Sequence, residues 1–157
     1  MDRKTLLRQS DEWDSHLAHR REYSPFEYVL SRMYVEQLQE KIKKRPMTKR
    51  SLGNFLKHTR VTIQRIWLPY SGECYATGTD QFNVVIKDTC TLDEELITLA
   101  HELVHVYYKV LDPYPDRFRQ PKENRKVEDL IESEAEKFIQ DDENRSYLVG
   151  LLSQITR

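Results

Sequence analysis

Two cysteines, Cys74 and Cys90, are too few for a disulfide framework, and both read as reduced thiols that pack as small residues. Excess charge is also missing. The formal net charge is −1, so the composition gives no general attraction to nucleic acid or to acidic membranes. No apolar run approaches the ~20 residues that a membrane span needs, and the opening MDRKTLLRQSDEWD lacks the apolar core of a signal peptide. A cytoplasmic protein with no membrane partner is the expectation. Glycine and proline are sparse, at four and six residues, and no internal repeat is visible.

What is present suits one α+β domain. The 157 residues can bury a real core, with 38% hydrophobic residues against 32% charged. Nine tyrosines and two tryptophans argue against disorder. Residues 1–22, with Trp13 and Leu17, read as an N-terminal arm or docking helix ahead of a single domain over 23–157. Ser24-Pro25-Phe26-Glu27 has the residue types of a helix start. Tyr28, Val29, Met33, Leu38 and Ile42 then recur at helical spacing until Pro46. A short helix is predicted over 48–57. From Val61 the pattern becomes β-branched and aromatic. "VTIQRIWLPY", "ECYATG" and "FNVVIKD" read as three strands of an antiparallel meander, with turns at Ser71-Gly72 and Thr79-Asp80. The last strand, within 82–88, is the expected edge, able to align an extended peptide. Thr91 and Glu94 form a capping box for the next helix. A further helix is predicted at about 126–140. Tyr147, Leu148, Leu151, Leu152 and Ile155 share one face of a docked final helix.

The chemistry concentrates in "LITLAHELVHVYY". His101 and His105 lie four residues apart, so a helix projects both from one face, one turn apart. Two neutral imidazoles suit Zn²⁺. Glu102 follows the first histidine, placed to take a proton from an attacking water and return it to a leaving amine. The neighbours are almost all apolar, so the helix is expected to be buried. Three buried polar side chains are costly unless partnered. A catalytic zinc site needs a third protein ligand and one open position. No histidine follows His105. The third ligand should therefore be a carboxylate from the helix "VEDLIESEAEKFI", where Glu128, Asp129, Glu132, Glu134 and Glu136 are all candidates.

At these residues the chain resembles the ImmA/IrrE-like metallopeptidases, compact HExxH zincins. "TLAHELVH" (98–105) is similar to the family's T-L-A-H-E-L-G-H, and "ESEAEKFI" (132–139) to its E-x-x-A-N-x-F-A. The resemblance implies a zinc-dependent peptidase, a hydrolase with His101, His105 and Glu132 as metal ligands and Glu102 as catalytic base. It also implies an intracellular protein substrate, such as a transcriptional regulator. Val104 stands where the family has glycine, Ile139 replaces alanine, and Glu136 replaces asparagine, from which it could orient a ligand histidine. Helical periodicity favours Glu134, at the centre of the apolar face. The motif favours Glu132, at its edge, and that choice is preferred because a ligand facing a wet cleft belongs at an edge.

Two other function classes remain: a zinc-binding regulatory protein without proteolysis, and a nucleic-acid-associated protein using residues 41–66. The basic run "KIKKRPMTKR" (41–50) reads more simply as a solvated helix end. The helix-turn-helix cadence of "SLGNFLKHTRVTIQRI" is weaker than its reading as helix then strand. His58 is expected at the surface. Tyr107 and Tyr108 are expected to pack as core, while Asp112 and Asp116 suit a cleft rim.

Overall fold

The computed structural model describes residues 25–110 and 121–155. The arm at 1–22, the Ser24 cap and the rim residues Asp112 and Asp116 lie outside them. Among the described residues, five helices and one three-stranded sheet follow in the order α1 (Pro25–Lys44), α2 (Lys49–His58), β1 (Arg60–Ile66), β2 (Gly72–Gly78), β3 (Gln81–Lys87), α3 (Leu92–Tyr107), α4 (Pro121–Ile139) and α5 (Asp142–Ser153). The class is α+β. No helix among the described residues is long and apolar enough to cross a membrane.

Local sequence explains most of the boundaries. The Thr48 side chain accepts from the Ser51 amide at 3.0 Å, and Ser51 Oγ accepts from the Thr48 amide at 2.9 Å, closing a capping box on α2. Thr91 and Glu94 make the same reciprocal pair on α3 at 3.3 and 3.2 Å. Asp141 caps α5 through the amides of Glu143 and Asn144. Leu148 and Leu152 of that last helix are buried, as its one-sided pattern predicts.

The sheet corrects the expected meander. Its order is β1-β3-β2, with β1 parallel to β3 and β2 antiparallel to it. Ser71-Gly72 is not a hairpin turn. The connection from Trp67 to Ser71 passes the end of β3, where Lys87 N donates to Ser71 O and Asp88 N to Ile66 O. The segment 82–88 is therefore the centre of the sheet and not its edge, so the edges are β1 and β2. Burial gives the physical reason. Val84, Val85 and Ile86 are all buried, whereas β1 alternates between exposed and half-buried positions. A continuous apolar run suits a strand covered on both faces. The same β1 disposes of the helix-turn-helix, because residues 60–66 form a strand where a second helix would be needed.

Helix α3 is the hub. Ten of its sixteen residues are buried, including Leu99, Leu103, Val104 and Val106 at 0% exposure. The sheet, α4 and α5 all pack on it, with Phe82, Val84 and Ile86 in one core with Val127, Ile131 and Leu148. Gly72 lets β2 lie close to α3. A Cβ there would fall 2.7 Å from Thr98 Cγ2 and 2.8 Å from the Val85 carbonyl oxygen. Arg65 ties β1 to the start of α3, its guanidinium donating to Glu95 at 2.5 and 3.3 Å with both side chains nearly covered.

Candidate metal centre

Helical geometry puts His101 and His105 on one face of α3, and their Nε2 atoms lie 3.1 Å apart. Glu128 of α4 completes the group: Oε2 is 3.1 Å from His101 Nε2 and Oε1 is 3.4 Å from His105 Nε2. These three residues can hold a metal ion. The two nitrogens and one Glu128 oxygen all lie within 4.8 Å of one another, and the 3.1 Å between the nitrogens is close to the ~3.3 Å that tetrahedral zinc with bonds of ~2.0–2.1 Å sets between two ligand atoms.

The far ring nitrogens explain why the near ones are available. His105 Nδ1 lies 2.8 Å from the Val110 carbonyl oxygen, which can only accept, so Nδ1 carries the proton. His101 Nδ1 lies 2.5 Å from Glu132 Oε2, and a carboxylate there also calls for an N–H. Both Nε2 lone pairs then face each other and the Glu128 carboxylate. Such a concentration of acceptors is stable only around a cation, whether a proton or a metal ion. Without a metal, protons serve. Burial opposes charge on His105, but Glu128, with help from Glu102 and Val110, outweighs it and raises the pKa to about 9. His101 is likewise raised against its burial, by Glu128 and Glu132. Burial disfavours the charged form of Glu128 too, yet His105 and then His101 hold its carboxyl well below the usual range.

The five carboxylate candidates separate cleanly. Glu128 joins the two Nε2 atoms. Glu132, which the resemblance makes the third ligand, sits behind His101 on the opposite ring nitrogen. Glu134 is buried at 5% exposure away from the histidines, near Tyr108, and burial raises its carboxyl above the usual range. Asp129 and Glu136 are exposed, and Glu132 is the carboxylate that meets His101 Nδ1. Helical spacing could have found the Glu128 and Glu132 pair, since i and i+4 share a face. Which ring nitrogen each one meets depends on how α4 lies against α3, which spacing does not encode.

Glu102 is buried at 6% exposure, close enough to act electrostatically on His105. The Cys74 thiol of β2 lies close enough to Glu102 to feel its charge. Burial, reinforced by Glu102 and Glu128, pushes that thiol well above its ordinary pKa, so it stays an S–H donor. Sequence reasoning treated Cys74 as packing, and only the sheet topology brings it to the centre. Val104, at the family's glycine position, is in the hydrophobic core. Tyr108 is buried, donating from its hydroxyl to the Arg45 carbonyl oxygen at 2.6 Å, and Tyr107 packs edge-on against Phe55. Neither tyrosine is among the residues that gather at the metal group. No family model matches the chain, and neither the curated proteins nor the solved structures contain a match to it.

Proposed function

We propose that the protein is a zinc-dependent peptidase in which His101, His105 and Glu128 hold the ion and Glu102 is the general base. The observation that carries this reading is the convergence of two Nε2 atoms and one carboxylate at mutual distances of 3.1 to 3.4 Å. The far nitrogens are already committed to Glu132 and Val110, the arrangement that fixes ligand histidines. Three protein ligands leave a position open, as catalytic zinc sites require. The resemblance of residues 98–105 and 132–139 to the ImmA/IrrE-like family supports the same chemistry.

Bound zinc would supply Lewis acidity, bringing a water's pKa to about 7 and polarising the substrate carbonyl. The chain's own residues do the rest. Glu102 takes a proton from the attacking water on its carboxylate. As the water oxygen bonds to the carbonyl carbon and the C–N bond breaks, that proton passes to the departing amine. Strand β2, packed on α3 with one edge paired to β3, offers its other edge for an extended peptide, the role first expected of 82–88. An intracellular protein, such as a transcriptional regulator, is the substrate class by family analogy.

The test combines metal analysis of protein purified without chelators with cleavage of a mixed peptide library. One zinc per chain, and hydrolysis lost in Glu102→Gln while zinc is retained, is the expected result. No stoichiometric metal overturns the site. Zinc without any hydrolysis leaves a non-proteolytic zinc-binding protein.

A further inference from the structure

The basic run at 41–50 has no part in the metal centre, yet three of its six cations turn toward one place. Lys41, Lys44 and Arg45, at the end of α1, line a cleft of about 680 Å³ together with Lys109, which follows α3. Phe55 and Tyr107 supply aromatic wall, their ring centroids 5.5 Å apart at 70°. Solvated basic runs spread their charges, whereas this cleft gathers four cations from two separate segments around aromatic surface.

The countercharges are weak. Asp80 is the one carboxylate in the lining among the described residues, 3.6 Å from Lys109, and Lys44 meets Glu40 at 3.5 Å; all four of these side chains are more than half exposed. Helices α1, α2 and α3 all end here. Their terminal carbonyls carry roughly half a negative charge each, which offsets part of the cationic excess but not all of it. Lys109 also has left-handed backbone, with φ of 58°, where glycine is the usual helix-terminating residue. A lysine kept in that conformation directs a cation from the end of α3 into the cleft.

We propose that this cleft binds a nucleotide-like anion, with the phosphate met by Lys41, Lys44, Arg45 and Lys109 and the base against Phe55 and Tyr107. A space of this size far exceeds a lone phosphate and falls in the range of small-molecule pockets. Cations alone would accept any anion; the aromatic wall selects one that carries a planar ring. None of the residues lining it belongs to the metal group.

Calorimetric titration of the full, metal-containing chain with AMP, ATP, adenosine, inorganic phosphate and a short DNA duplex tests this. The expected result is saturable binding of AMP or ATP below about 1 mM, weakening with salt. Adenosine and phosphate should each bind at least about tenfold more weakly. Lys41→Ala/Lys44→Ala, at exposed positions, should weaken nucleotide binding about tenfold or more with an unchanged unfolding midpoint. Phe55→Leu, which keeps apolar volume, should reduce the preference for nucleotide over phosphate. The proposal is overturned if no nucleotide saturates, if the lysine pair is indifferent, or if phosphate matches AMP. Tighter binding of the duplex than of the mononucleotide overturns it in favour of a nucleic-acid surface.

Discussion

Glu128 and Glu132, one helical turn apart on α4, address opposite nitrogens of a single imidazole, that of His101. The first belongs to the group that can hold an ion and the second fixes the ring from behind. Their removal should therefore have unequal consequences. Glu132→Ala is expected to weaken zinc binding about 10–100-fold, the usual effect of losing an orienting carboxylate. Glu128→Ala should cost more than that in competition with a chromophoric chelator. Equal losses, or a larger loss at Glu132, would show that Glu132 is the ligand.

Acidity should act differently with and without metal. In metal-free protein the His105 pKa is raised from 6.5 to about 9. A raised folded-state pKa stabilises fully below the unfolded value and is lost as pH rises through the folded one. Metal-free protein should thus lose on the order of a few kcal/mol between about pH 6.5 and 9. Glu128, held low, acts in the opposite sense, and its contribution disappears as the pH falls below the normal carboxylate range. Saturating zinc replaces the proton and should abolish the alkaline loss. Denaturant melts across pH, with and without zinc, measure both effects.

Gly72→Ala tests how tightly β2 is set on α3. The new methyl would meet the Thr98 methyl and the Val85 carbonyl oxygen at 2.7 and 2.8 Å, and the second is backbone that cannot step aside. A loss of about 1–3 kcal/mol is expected in urea unfolding. Thr98→Ser should restore only part of it.

Arg65→Met should leave Glu95 covered and uncompensated, at a cost of about 3–5 kcal/mol. Adding Glu95→Gln ought to recover much of that loss. Thermal unfolding of the two single variants and the double variant gives the coupling directly, and additive effects would disprove the pairing.

Much of this was legible because it is local. The cap at Thr91, the buried character of α3 and the one-sided face of α5 all follow from residues within a turn or two. The facing of His101 and His105 has the same origin. The errors are long-range. Three strands were found, but their pairing depends on where a five-residue connection crosses, and the apolar run Val84, Val85, Ile86 was the overlooked sign of a central strand. Which carboxylate meets which ring nitrogen is equally a long-range matter. Periodicity identifies the apolar face of α4, and a motif marks Glu132, but neither records the rotation of α4 about its axis against α3. Cys74 comes near Glu102 only because β2 packs on α3.

The metal group also spans two helices, with His105 near the end of α3 and Glu128 beyond the segment that joins it to α4. An ion gripped at both ends would close a loop of about two dozen residues, much as a disulfide does. By loop-closure arithmetic such a link removes roughly 3 kcal/mol of freedom from the unfolded chain. The ion would then be a reversible covalent-like staple, and zinc supply would decide how long the folded protein survives as well as whether it can react.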